Sequence, residues 1–175
     1  MDQEKLRLLL CELGAAIRSK VVSARQGLSA EKLAAVTGDA GGDTIFAIDR
    51  FGEDAILEWF RSQWPADEPV QIVMEGLESE LCFPEGKSAA ETKWKCIIDP
   101  IDGTRNFVRG IPIWATLLGL EYKGEMQAGI TVAPGLNQTY RALRGDGAFR
   151  NDIKINVSNI NSLSSSQLFY SSISW

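Results

Sequence analysis

Three features of this 175-residue chain predict an α+β fold, two long helices packed on a mainly antiparallel sheet. Leu6, Leu9, Leu10, Leu13, Ile17 and Val21 recur at helical spacing near the N-terminus. Ala55, Ile56, Trp59 and Phe60 repeat that pattern on a second stretch. Beyond residue 69 the period shortens, and β-branched runs alternate with tight turns, as strands do. Helices first and strands afterwards is the segregated order of an α+β domain. The length is enough for about one core-bearing domain.

Taken in order, residues 3–24 form the first amphipathic helix, and GDAGGDT, 38–44, is a flexible break. The second helix covers 50–64 and is ended by Pro65. PVQIVM, 69–74, is short and β-branched, a buried strand that opens onto the acidic run EGLESE. LCFPEGKSAAET, 81–92, is a loop, and 93–98 is another strand. IWATLLGLEYKGEMQAGITVAP gives two strands turning at Lys123 and Gly124. QTYRALRGDGAFRNDIKINVS gives a strand, a GDG turn and another strand, and SSSQLFYSSISW begins one more.

Composition removes several chemistries. With 45% apolar and 23% charged residues the chain is ordinary for a globular protein, and its net charge of −5 argues against a nucleic-acid binder, which needs a basic face. It contains no histidine, so imidazole bases, Ser-His-Asp triads and His-ligated zinc are excluded. Cys11, Cys82 and Cys96 form no CxxC pair and read as free thiols of a reducing compartment. The opening MDQEKLRLLLCELGAAI has neither a basic region followed by an apolar core nor a membrane-length apolar run, so a cytoplasmic protein without membrane contact is expected.

The chemistry concentrates in KWKCIIDPIDGTRNF, 93–107. Asp99 and Asp102 follow a strand, Pro100 stiffens the link between them, and Glu75 follows the strand QIVM. Mg²⁺ takes oxygen ligands at about 2.0–2.1 Å and keeps several waters, so two aspartates with the Ile101 carbonyl between them form a plausible ligand set. A DxxD pair alone is equally a solvated turn. The next residues favour the metal: Gly103 permits close backbone approach, and TRNF opens a helical turn whose free N–H groups suit an anion. Carboxylates beside such a turn suit a phosphate ester, because a metal neutralises phosphoryl oxygens and activates water without any imidazole.

DPIDGTRNF followed by GIP closely resembles the signature of the inositol monophosphatase family of metal-dependent phosphatases. IVMEG resembles the strand and glutamate of that family's GEE element, DTIFAID its DxVTxxD element, and APGLNQTYRALRGDGAFRND with IKINVS the stretch leading out of its first domain. The resemblance implies the N-terminal domain of an αβαβα sandwich, as in inositol monophosphatase and fructose-1,6-bisphosphatase. It implies that Glu75, Asp99 and the Ile101 carbonyl hold one Mg²⁺ and that Asp99 and Asp102 share a second. It further implies that Thr104 and Glu75 orient the attacking water, that Asp49 bonds the Thr104 hydroxyl, and that the Gly103 and Thr104 amides receive the phosphate. Asp49 at a helix start is otherwise read as an N-terminal acid favoured by the helix dipole.

Departures from the family pattern limit the expectation. Phe46 stands at a usual Thr position, Gly76 replaces the second Glu of GEE, and Arg109 occupies a frequent His position. The WDxAAG element of the family's second domain has no counterpart, since none of tryptophans 59, 64, 94, 114 and 175 precedes Asp. The expected division is therefore a metal- and phosphate-binding domain over 1–158 and the start of a truncated second domain over 159–175. The sheet face that such a domain would cover should be apolar and favour a homo-oligomer. The function expected is a Mg²⁺-dependent phosphomonoesterase acting on inositol monophosphate, fructose bisphosphate or a nucleotide bisphosphate. The alternative is an inactive remnant that binds metal or phosphate.

Overall fold

The structure, a computed structural model, describes all residues except 34, 41–42, 75–76, 78–80 and 168–175. The chain opens with α1 (Gln3–Gly27), whose N-terminus is capped where Asp2 Oδ1 accepts the Lys5 N–H at 2.7 Å. All six residues of the predicted stripe on α1 are buried. A short α2 (Ala30–Leu33) leads to β1 (Val36–Ala40) and β2 (Asp43–Phe46), an antiparallel pair of its own. The expected break at 38–44 is thus mostly strand. Its polar, glycine-rich composition hid a two-stranded ribbon whose stability comes from cross-strand pairing, which local composition does not report.

The second long helix, α3 (Ala47–Gln63), begins three residues earlier than predicted and buries Ala55, Ile56, Trp59 and Phe60. The eight-stranded sheet follows: β3 (Val70–Met74), β4 (Leu81–Phe83), β5 (Trp94–Asp102), β6 (Ala115–Tyr122), β7 (Glu125–Ala133), β8 (Gln138–Leu143), β9 (Gly147–Arg150) and β10 (Ile153–Ile155). A five-residue helix, α4 (Thr104–Val108), lies between β5 and β6. The spatial order is β10-β9-β8-β7-β6-β5-β3-β4, antiparallel throughout except for β3 beside β5.

Two parts of the strand reading change. The predicted loop 81–92 contains β4, which pairs with β3 at the sheet edge, and a 3-10 turn at Ala89–Glu91. After the GDG turn there are two short strands, because Asn151 and Asp152 adopt positive φ and reverse the chain between β9 and β10. The end of the chain holds a 3-10 turn at Leu163–Ser165, and the rest of the predicted terminal strand lies outside the described residues.

Period-2 alternation decides which face of the sheet is core. Val70, Ile72, Met74, Trp94, Cys96, Ile98, Leu118, Leu120, Ala128, Ile130 and Val132 point inward and join α1 and α3 in one cluster. Gly14 lets α1 approach β7 closely, since a Cβ there would stand 3.1 Å from Val132 Cγ2. The opposite face carries Val73 (41% exposed), Ile97 (39%) and Met126 (53%). Along it the register aligns Ile97, Gly119, Gly129, Ala142 and Ala148, small residues that floor an open trough of about 530 Å³. Among the described residues no helix is long and apolar enough to cross a membrane.

Candidate metal and phosphate site

The sequence reading ended the strand before its aspartates, but β5 runs through both of them. Asp99 pairs with Leu117 and Asp102 with Ala115, so Pro100 and Ile101 together oppose the single residue Thr116. That two-against-one count is a β-bulge. Its effect on direction follows from the pleat. On a regular strand, residues three apart face opposite sides. Here burial alternates from Trp94 to Pro100, the bulge adds buried Ile101 out of phase, and Asp102 returns to the exposed face. Half-buried Asp99 and exposed Asp102 therefore share one side of the sheet. Proline is tolerated in this central strand because the bulge is where a ladder N–H is dispensable.

Side chains complete the bulge's hydrogen bonding. The Ile101 N–H donates to Asp99 Oδ1 at 3.0 Å, which turns that carboxylate back over the bulge. The Ile101 carbonyl accepts the Thr104 hydroxyl at 2.8 Å, and the Pro100 carbonyl accepts the Thr116 hydroxyl at 2.8 Å. Pro100 has no N–H, so these bonds occupy the bulge's available polar groups one by one.

Gly103 forms the hinge into α4, with φ 87° and ψ 36°, a left-handed conformation that glycine adopts without strain. A Cβ there would also meet the Ile113 carbonyl oxygen at 3.2 Å. Its carbonyl receives the N–H groups of Asn106 and Phe107 at 2.9 and 3.0 Å, which closes the turn. The first amides of a helix have no acceptor within it and face outward. Beneath the turn, buried Phe107 meets Trp114 edge to face at 4.8 Å, and the Arg25 guanidinium of α1 lies 5.4 Å from the Phe107 ring centroid.

The structure brings together four of the sequence-derived site positions that carry donors, Asp99, Ile101, Asp102 and Thr104, with Gly103 joining them. Glu75 lies outside the described residues, although β3 ends at Met74 and Met74 pairs with Ile98, so the two strands finish side by side. Asp49 falls in α3, and its side chain lies outside the described residues. The described partner of the Thr104 hydroxyl is the Ile101 carbonyl.

The donor set is all oxygen, two carboxylates and a carbonyl, which suits a hard cation such as Mg²⁺. The Ile101 carbonyl has two lone pairs, so accepting from Thr104 leaves one for a ligand. Among the described residues no three carboxylates or other ligating side chains converge. Thr116, Trp114, Phe107 and Arg25 were not picked out from the sequence as site residues. Thr116 had one legible signal, a lone hydroxyl at an inward position of the otherwise apolar ATLLGL.

Comparison with known proteins agrees with this geometry. A histidinol-phosphatase of Chlorobaculum parvum is 38% identical over 122 residues, covering 70% of this chain and 43% of that protein. A putative Nus factor SuhB of Neisseria meningitidis is 38% identical over 117 residues, covering 67% and 41%. The crystal structure of an inositol monophosphatase-fructose 1,6 bisphosphatase superposes with a TM-score of 0.70 at 28% identity, covering 92% of this chain and 57% of that one. The chain thus spans less than half the length of the curated relatives it matches and about half that of the solved structure. The family profile described as the inositol monophosphatase family matches residues 2–174, and the chain belongs to that family.

Proposed function

We propose that this chain supplies the metal- and phosphate-binding part of a Mg²⁺-dependent phosphomonoesterase acting on a small phosphorylated alcohol. The observation that carries the reading is the bulge in β5, which turns Asp99 and Asp102 to one face with the Ile101 carbonyl between them. In this reading Glu75, Asp99 and Ile101 hold one Mg²⁺, and Asp99 and Asp102 share another. Once bound, Mg²⁺ neutralises phosphoryl oxygens and makes water a nucleophile near neutral pH. The protein's own groups do the rest. Gly103 and Thr104 present amides to the phosphate, Thr104 with Glu75 orients the attacking water, and Asp49 supports the Thr104 hydroxyl.

The names of the relatives widen the substrate class. Histidinol-phosphatase adds an amino-alcohol phosphate to the inositol, fructose and nucleotide phosphates expected from the motif. The chain is taken to act in the cytoplasm as a homo-oligomer, without nucleic acid or membrane. Domain limits of 1–158 and 159–175 complete the proposal.

The test measures phosphate release from inositol monophosphate and histidinol phosphate across a Mg²⁺ titration. Release that depends on Mg²⁺ and falls at least a hundredfold in Asp99→Asn is expected. No release at any Mg²⁺ level removes the claim that this chain is active alone. Saturable Mg²⁺ binding by calorimetry without turnover then favours the metal-binding remnant, a reading supported by the two carboxylates that stand without a third among the described residues.

A further inference from the structure

Thr116 is fully buried and is the one polar residue among the described core side chains. It stands opposite the two extra positions of the bulge, with Asp99 paired to Leu117 on one side and Asp102 to Ala115 on the other. Its hydroxyl donates to the Pro100 carbonyl at 2.8 Å. A bulge takes backbone groups out of the ladder, and a buried carbonyl left unpaired is costly. Thr116 therefore offsets the cost of the distortion that gives both aspartates the same face. An apolar residue there would favour either an unpaired carbonyl or a regular strand, and a regular strand would turn Asp99 and Asp102 to opposite sides.

We propose that Thr116 is a positioning residue of the candidate site, holding Asp99 and Asp102 on one face through the Pro100 carbonyl. The proposal rests on the cation-ligand reading of the two aspartates for its effect on metal binding, but not for its effect on the bulge. Thr116→Val keeps the shape and removes the hydroxyl, whereas Thr116→Ser keeps the hydroxyl.

Two measurements on the full chain test it: Mn²⁺ affinity by calorimetry, and hydrogen exchange of the Ile101 N–H, which Asp99 Oδ1 holds. Thr116→Val is expected to weaken Mn²⁺ binding about tenfold and to speed Ile101 exchange about tenfold, while the Leu118 and Leu120 amides keep their protection. Thr116→Ser should stay close to the parent in both. If Thr116→Val does not fold, Thr116→Cys, a weak donor of similar volume, carries the same expectations. The proposal is overturned if the valine variant matches the parent in both measurements. It is equally overturned if the serine variant fails as badly as valine, because methyl packing would then be the cause. If the parent binds no Mn²⁺ but Ile101 exchange responds as expected, the cation reading fails and the hold of Thr116 on the bulge stands.

Discussion

Gly103 shows how one residue can carry a constraint from two directions. Its φ of 87° disfavours any side chain, and the space a Cβ would enter is bounded by the Ile113 carbonyl at 3.2 Å and by Trp114. Gly103→Ala is expected to cost about 1–3 kcal/mol, read as a lower urea midpoint at an unchanged slope. Gly103→Asn should recover only part of that loss, since asparagine tolerates the left-handed region but still meets the carbonyl. An alanine variant as stable as the parent would show that the turn adapts. The thiols behave as ordinary core residues: complete burial pushes Cys96 up to about 12, consistent with its place in the apolar cluster.

At the scale of elements, local chemistry was legible wherever it was sufficient. The stripe of α1 could be read because six apolar side chains share one face of one helix, and all six are buried. The β6–β7 turn could be read at Lys123 and Gly124 because both adopt positive φ there. The ribbon of β1 and β2 and the edge strand β4 were not legible, since short polar strands are defined by their partners. The Ala89–Glu91 turn, read as loop, carries a capping box in which Glu91 accepts from the Ser88 backbone and hydroxyl, each at 3.0 Å.

The Ser88 N–H, the Lys87 ammonium and the Ser88 hydroxyl together hold the Glu91 carboxyl at about 2, against an ordinary value of 4.5. Because the folded value lies below the unfolded one, the contribution is complete above pH 4.5 and is lost as pH falls toward 2. A carboxylate NMR titration of Glu91 should show the low midpoint. The stability difference between the parent and Glu91→Gln should shrink across that window, and a difference that stays constant with pH would contradict this account.

At the scale of the molecule, the sheet has two unlike faces. One is filled by α1 and α3, while the other exposes Val73, Ile97 and Met126 around a trough floored by glycine and alanine. An apolar face of this kind favours association in water. Sedimentation equilibrium is expected to show reversible, concentration-dependent self-association that weakens in Ile97→Gln without loss of far-UV circular dichroism. A monomer at every concentration would remove the homo-oligomer from the proposal.

The sequence by itself determined the two amphipathic helices, most of the central strands and the DPIDGT segment whose residue types suit a metal and a phosphate. These depend on periodicity and on neighbouring residues, which a linear chain displays directly. Only the tertiary structure decided that Asp99 and Asp102 face the same way. That outcome needs a bulge against β6 and a hydroxyl sixteen residues away on Pro100's carbonyl, and period-2 alternation alone would have parted the two carboxylates.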